Sequence, residues 1–231
     1  MSTARDLILI GCGGFGRETA AAVEAINAVE PSWRLRGFLD DSPELEGERV
    51  SGVPVLGPVD AVADHPRAAI VITTGRPADY VSRSRLATRL GLEEERYATL
   101  IHPDASVGSS CSIGPGTVLL AQVTLTTDVV VGKHVAAMPQ VVLPHDAVVG
   151  DFATIASGVR VGGGCLIGSE AYMGSGSSLR EGLTVGRRAM VAMGAIVTRD
   201  VPDERLWCGF PARDAGPAPI PDREPSTGSA A

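Results

Sequence analysis

From Ile101 to Pro202 an aliphatic residue returns at every sixth position for seventeen hexads, running from Ile101 and Val107 through Leu143, Val161 and Leu179 to Val197. Four residues after each comes a small or β-branched side chain, such as Ala105, Thr117, Val159 or Ala195. Glycine often follows the aliphatic position directly, as at Gly108, Gly132, Gly150 and Gly186. A helix needs apolar residues every three or four positions, so a period of six predicts short flat strands joined by tight turns. Six residues make one face and three faces close one coil. The run therefore predicts a β-solenoid of 18-residue coils.

Ahead of the solenoid the pattern changes. Asp6–Ile10 reads as a short apolar strand, followed by Gly11-Cys12-Gly13-Gly14-Phe15-Gly16 and a helix from about Arg17 to Val29. Strands are expected at Arg34–Leu39, Val53–Leu56 and Ala68–Thr73, with helices near Pro58–Ala63 and over Ala78–Leu90. Strand–helix alternation at this spacing argues a small parallel α/β sheet. The expected fold is an α/β Rossmann-like domain over residues 1–98, then a solenoid domain over 99–213. From 214 to 231 the chain is rich in Pro, Ser, Gly and Ala, and a disordered tail is expected.

The 231 residues carry 27 acids against 20 bases, a net charge of −7, which argues against a nucleic-acid partner. No apolar run approaches the length needed to span a bilayer, and no leader opens the chain, so a cytoplasmic protein with no membrane partner is expected. Cys111 and Cys165 fall three coils apart, roughly 14 Å, too far to bridge. With Cys12 in a loop and Cys208 in the C-terminal tail, four free thiols are expected.

Two segments carry candidate chemistry. The glycine loop fits G-x-G-x-x-G between a strand and a helix, with acids about 24 residues on, a pattern that brings backbone N–H groups to a phosphate. Taken alone it suggests an NAD-binding dehydrogenase, but about 95 residues leave no room for a hydride-acceptor site, and a nucleotide or nucleotide-sugar is the better use. The substrate-binding set is then Cys12, Gly13, Gly14, Phe15, Asp40 and Asp41. The second segment is Leu143-Pro144-His145-Asp146, in which a carboxylate adjoins an imidazole. One coil above His145 stands Gly163, whose N–H faces the same gap. A base and an amide donor at one gap are the minimum parts for acyl transfer.

Up to about Arg213 the chain resembles the NeuD/PglD-type sugar O-/N-acyltransferases. The matching residues are Leu7–Gly16, Gly37-Phe38-Leu39-Asp40-Asp41, His102-Pro103, His145-Asp146, Val149-Gly150-Asp151-Phe152, Ala192 to Pro202 and Gly209-Phe210-Pro211-Ala212-Arg213. The resemblance implies a left-handed parallel β-helix of the hexapeptide-repeat class. It further implies His145 as general base, Asp146 as its partner, acetyl-CoA or another acyl-CoA as co-substrate, and no metal. The acyl-CoA groove is expected to draw on Thr154, Gly163, Ser175, Met193 and Arg213. Two departures stand out: Phe15 occupies the place where the family's loop often carries histidine, and Thr154 stands nine residues after the base, where members acting on 4-amino sugars often carry another. One solenoid offers only flat faces to CoA, so a homotrimer with sites between subunits is expected. Competing readings are a non-sugar acyltransferase, a γ-carbonic-anhydrase-like zinc site needing three converging histidines, and a non-catalytic β-helix.

Overall fold

The computed structural model describes residues 4–221. The N-terminal sheet has three parallel strands in the order β2 (Trp33–Leu39), β1 (Arg5–Ile10), β5 (Ala69–Ile72). Because β1 is central, alternate residues serve opposite layers. Leu7 and Leu9 pack with helix α1 (Gly14–Val29) and with Leu100, Val118 and Leu120 of the solenoid. Ile8 and Ile10 pack with Val59, Val62 and helix α2 (Ser82–Leu90) on the other side. α1 begins three residues before the expected Arg17, directly on the glycine loop, and its last turn closes through Glu30 N–H to Ile26 O. α2 ends at Gly91 in the left-handed conformation, a common helix stop. Between β2 and β5, β3 (Arg49–Val50) and β4 (Val53–Pro54) make a small hairpin, and Val59–Asp64 is a 3-10 helix.

The hexads form a parallel solenoid whose partners are 18 residues apart, as in Thr124↔Val142, Val148↔Leu166 and Ala136↔Thr154. Its first face runs through Ser106, Thr124, Val142, Arg160, Ser178 and Ile196, and its second through Ser112, Val130, Val148, Leu166 and Thr184. The third runs through Leu100, Val118, Ala136, Thr154, Tyr172 and Met190. The repeated aliphatics point inward as one continuous core. At the fourth position of each hexad from Gly116 to Gly194 the backbone is left-handed, including the non-glycine residues Gln122, Asp128, His134, Gln140, Asp146, Phe152, Glu170 and Arg188. One such residue per corner turns the chain through each bend.

The α/β domain sits on the third face, where the outward residues Leu100, Val118, Ala136 and Thr154 are all buried. The seam is held by Arg83 of α2, which donates to the carbonyls of His134, Phe152 and Ala153 and to Thr154 Oγ1. Glu170 accepts from Ser84 and, at 2.6 Å, from Arg188, while Tyr80 donates to Arg188 O at 2.8 Å.

The expected disorder from residue 214 needs correction. Arg205–Gly209 pairs antiparallel with Ala212–Pro217, Asp214 receives a bidentate pair from Arg205, and Ala218 is buried against Tyr80, Val81 and Met190. Composition alone does not reveal the partner strand that orders this segment. The remainder of that expected tail, residues 222–231, lies outside the described residues.

His134 stands in the seam, stacked on Phe152 at 4.8 Å between ring centroids and edge-on to Tyr97 at 4.4 Å. Burial first, then the Arg83 charge, lowers its pKa from 6.5 to about 4, with Lys133 also lowering it and Asp151 and Glu94 pulling the other way. The fold keeps this ring neutral, so its contribution is complete above pH 6.5 and is lost as pH falls toward about 4. A shift of this size is worth about 3 kcal/mol once the ring is protonated. Urea unfolding should therefore show a steeper loss of stability between about pH 6.5 and 4 in the wild type than in His134→Gln; parallel pH profiles would contradict this.

Candidate active site

The glycines of the loop have different physical reasons to be glycine. Gly11 lies at φ +98, and a Cβ there would press on Thr74. A Cβ on Gly16 would run into the carbonyl of Gly11, so this glycine lets α1 pack close to the end of β1. Gly13 and Gly14 have open space where a Cβ would stand, and neither has a positive φ. They leave bare backbone at the N-terminus of α1, where the first N–H groups of a helix have no intrahelical partner. Thr73 Oγ1 clips the loop from behind, donating to Ile10 O and Gly11 O at 2.9 and 2.7 Å.

In front of that backbone lies a cavity of about 480 Å³ between the two domains. Gly13, Gly14, Phe15 and Asp40 line it. The segment Thr73-Thr74-Gly75-Arg76-Pro77 after β5 and the solenoid residues Met138, Ala156 and Tyr172 complete the wall, and sequence reasoning missed both. A glycine at the carboxyl end of a strand neighbouring β1 was the available signal, since ligands of parallel α/β sheets bind outside those strand ends. A shallower cleft on the far side of the loop shares Gly13 and Asp40 and adds Cys12, Arg17, Ser42 and Arg49.

Asp40 accepts from Cys12 N–H and Ser42 N–H, both at 3.0 Å, and from the Cys12 thiol at 3.2 Å. Burial alone would raise its pKa, but these hydrogen bonds outweigh it and hold the carboxyl below its ordinary value. Asp41 faces elsewhere: it pairs with Arg89 at 2.6 Å and accepts from Val59 N–H at 2.9 Å, so its visible role is to tie β2 to the following turn and α2.

At the edge between the first and second faces, His145 Nδ1 lies 2.8 Å from Asp146 Oδ2, with both side chains about two-thirds exposed. Asp146 occupies the left-handed corner position, at φ 60, which swings its carboxylate back to the ring. Gly164, one coil on, bears the corresponding left-handed turn and donates to His145 O at 2.9 Å. Gly163 has no such conformational need. It is glycine because a Cβ would fall against His145 Nε2. The ring's free nitrogen is thus aimed over the Gly163 backbone, whose N–H donates to no backbone group among the described residues.

The remaining expected contacts do not gather there within one chain. Ser175 and Met193 are exposed on the edge between the third and first faces, and Met193 is 79% exposed. Arg213 is exposed, with its guanidinium on Ala212 O. Thr154 lies inside the interdomain cavity wall and accepts from Arg83 at 2.7 Å. Among the described residues no three His, Cys, Asp or Glu side chains converge as metal ligands, and no helix is long and apolar enough to cross a membrane.

The PglD N-terminal domain family matches residues 6–89. A UDP-N-acetylbacillosamine N-acetyltransferase of Bacillus subtilis is 35% identical over 122 residues, 51% of this chain and 52% of that protein, so the match spans about half the length of that relative. The acetyltransferase domain of PglB from Neisseria gonorrhoeae superimposes with a TM-score of 0.79 at 27% identity, over 91% of this chain and 99% of that one. The chain thus resembles the NeuD/PglD type, by sequence over residues 6–89 and by fold over 91% of its length. That domain is also known in complex with acetyl coenzyme A. A perosamine N-acetyltransferase from Caulobacter crescentus, in complex with CoA and GDP-perosamine, matches with a TM-score of 0.78 at 25% identity, covering 91% of this chain and 97% of that one. The fold is a Rossmann-like α/β part followed by a left-handed parallel β-helix.

Burial, then the hydrogen bond and charge of Asp40, raise the pKa of the Cys12 thiol to about 11. Below that pH the thiol stays protonated and unreactive although it borders a cleft. Iodoacetamide at about pH 8 should therefore label exposed Cys208 well before Cys12, as read by peptide mass spectrometry, and Asp40→Asn should accelerate labelling of Cys12. Rapid alkylation of Cys12 in the wild type would contradict the assignment.

Proposed function

We propose that this protein transfers an acetyl group from acetyl-CoA to the amine of a sugar carried on a nucleoside diphosphate. The observation that carries the reading is the aim of His145 Nε2 over Gly163, with Nδ1 held by Asp146. Asp146 accepts a hydrogen bond from Nδ1–H, which leaves the Nε2 lone pair free to take a proton. The amine nitrogen attacks the thioester carbonyl and loses a proton to Nε2, while the carbonyl oxygen gains negative charge against the Gly163 N–H. Collapse breaks the carbon–sulfur bond, and CoA leaves as a thiolate that takes the proton back from the imidazolium. The products are the amide and CoA.

The acceptor's nucleotide would lie over Gly13 and Gly14, with its sugar in the interdomain cavity. That cavity flanks the third face, whereas His145 stands on the edge opposite it, so the body of the solenoid separates the two within one chain. An acceptor held by one protomer therefore reaches the His145 of another. The second face supports such an assembly: Val130, Val148 and Leu166 stack in register on its outer side, 46, 36 and 47% exposed, beside the His145 edge. Covering this aliphatic ladder with a second copy removes it from water. We take the assembly to be a trimer, in which Ser175, Met193 and Arg213 of one protomer approach Gly163 of its neighbour as walls for CoA.

Acetylation assays with UDP-, GDP- and dTDP-linked amino sugars should find at least one acceptor. His145→Ala should lower kcat by about 10²–10⁴-fold with acetyl-CoA binding retained, and Gly163→Val should abolish turnover with the circular dichroism of the β-helix intact. Near-normal turnover in either variant removes the mechanism. Light scattering should report a trimer that Leu166→Glu with Val148→Glu dissociates, with loss of activity; a fully active monomer would refute the shared site.

A further inference from the structure

Behind the wall of the interdomain cavity lies a charge that the proposed chemistry does not use. Arg83 is only 1% exposed and is surrounded by five acceptors: Thr74 O at 2.6 Å, Thr154 Oγ1 at 2.7, Phe152 O at 2.8, His134 O at 3.0 and Ala153 O at 3.1. All are dipoles, and among the described residues no carboxylate pairs with it. The buried acid of the seam, Glu170, is committed to Arg188. Burial lowers the pKa of Arg83 to about 10, so it remains charged at neutral pH.

Its position relates this charge to the cavity. Thr74 and Thr154 line the cavity, and so does Gly75, where a Cβ would run into the guanidinium. The bare backbone of Gly75 thus both lines the cavity and lies against the cation. Of the two acids of the lining, Asp40 is engaged with Cys12 and Ser42, and Asp79 pairs through Oδ2 with Arg85 while its Oδ1 is buried without a hydrogen-bond partner among the described residues. A buried cation solvated by dipoles alone projects its potential into the adjoining space, where the low dielectric of the walls screens it little. A full desolvation penalty is thus met without an ion partner from the chain. A negatively charged ligand in the cavity would supply that partner.

We propose that Arg83 is a positioning residue for an anionic acceptor: it pins the Thr74–Gly75–Arg76 wall to the solenoid and sets a fixed positive charge behind it, so that the cavity selects a nucleoside diphosphate over the uncharged nucleoside. This rests on the acceptor reading given above and names the residue that enforces it from outside the contact surface.

Calorimetry on the full chain tests it, with UDP, GDP and dTDP each compared with its own nucleoside and with acetyl-CoA binding as the control for an intact fold. Wild type should bind at least one diphosphate. The ratio of diphosphate to nucleoside affinity should fall about tenfold or more in Arg83→Gln, and stay within about threefold of wild type in Arg83→Lys, which keeps the charge. A ratio unchanged in Arg83→Gln, or lost equally in Arg83→Lys, overturns the role of the charge while the acceptor reading stands. Failure of wild type to bind any diphosphate overturns both. If Arg83→Gln does not fold, salt decides on the wild type: raising NaCl from about 0.05 to about 0.5 M screens exposed Arg76 but hardly reaches Arg83. Retention of most of the diphosphate preference supports the proposal, and its collapse assigns the preference to the exposed arginines and sinks it.

Discussion

A guanidinium in the seam between the domains must find five acceptors and finds no carboxylate, and the shape of the molecule follows from how it is satisfied. Carbonyls are fixed to the backbone, so an arginine solvated by those of His134, Phe152 and Ala153 is tied to one coil-to-coil geometry of the solenoid. Its bond to Thr74 O ties the loop after β5 to the same point. An unsatisfied donor or a lost partner at a buried charge costs several kcal/mol, so the domains cannot shift against each other without breaking this set together. The rest of the seam is arranged around it. His134 stays neutral between Phe152 and Tyr97, and Glu170 draws Ser84 and Arg188 across the same join. The cavity has a defined wall because the seam does.

The solenoid imposes the second constraint. An 18-residue coil puts Gly163 above His145 as a matter of register, and the left-handed residue at each corner fixes which way the neighbouring side chain leaves the chain. That is why an ordinary His-Asp dipeptide becomes an oriented pair here: Asp146 is the corner residue, and its turn brings the carboxylate onto Nδ1. A three-faced prism also separates its edges. The domain that covers one face is as far as the prism allows from the edge opposite, and the interdomain cavity is separated accordingly from His145.

Much of this was legible in the residues. The period of six, the inward aliphatics and the strand–helix alternation each report a local rule, burial of one side of a repeating unit, that any window of the chain must obey. The placement of His145 beside Asp146 and beneath Gly163 followed from the same arithmetic. The glycine loop was readable as a strand-to-helix connection with bare backbone at the helix start. Less was readable where one residue's role depends on a distant partner. Asp40 and Asp41 are adjacent in sequence, yet Cys12 draws one to the cleft and Arg89 draws the other away. The segment from Asp214 to Pro217 has the composition of a loose tail and is ordered by an antiparallel neighbour and an Arg205–Asp214 pair.

By itself, then, the sequence determined the repeat, the two-domain order, the glycine loop and the imidazole–carboxylate–glycine register, because each is set by short-range periodicity or by a fixed coil length. Only the tertiary structure decided which solenoid face the α/β domain covers, that Thr74 to Arg76 and Tyr172 belong to one cavity, and that Arg83 stands behind it. Those outcomes depend on solvation of buried polar groups by backbone carbonyls from remote parts of the chain, and carbonyls leave no residue-specific mark in a sequence.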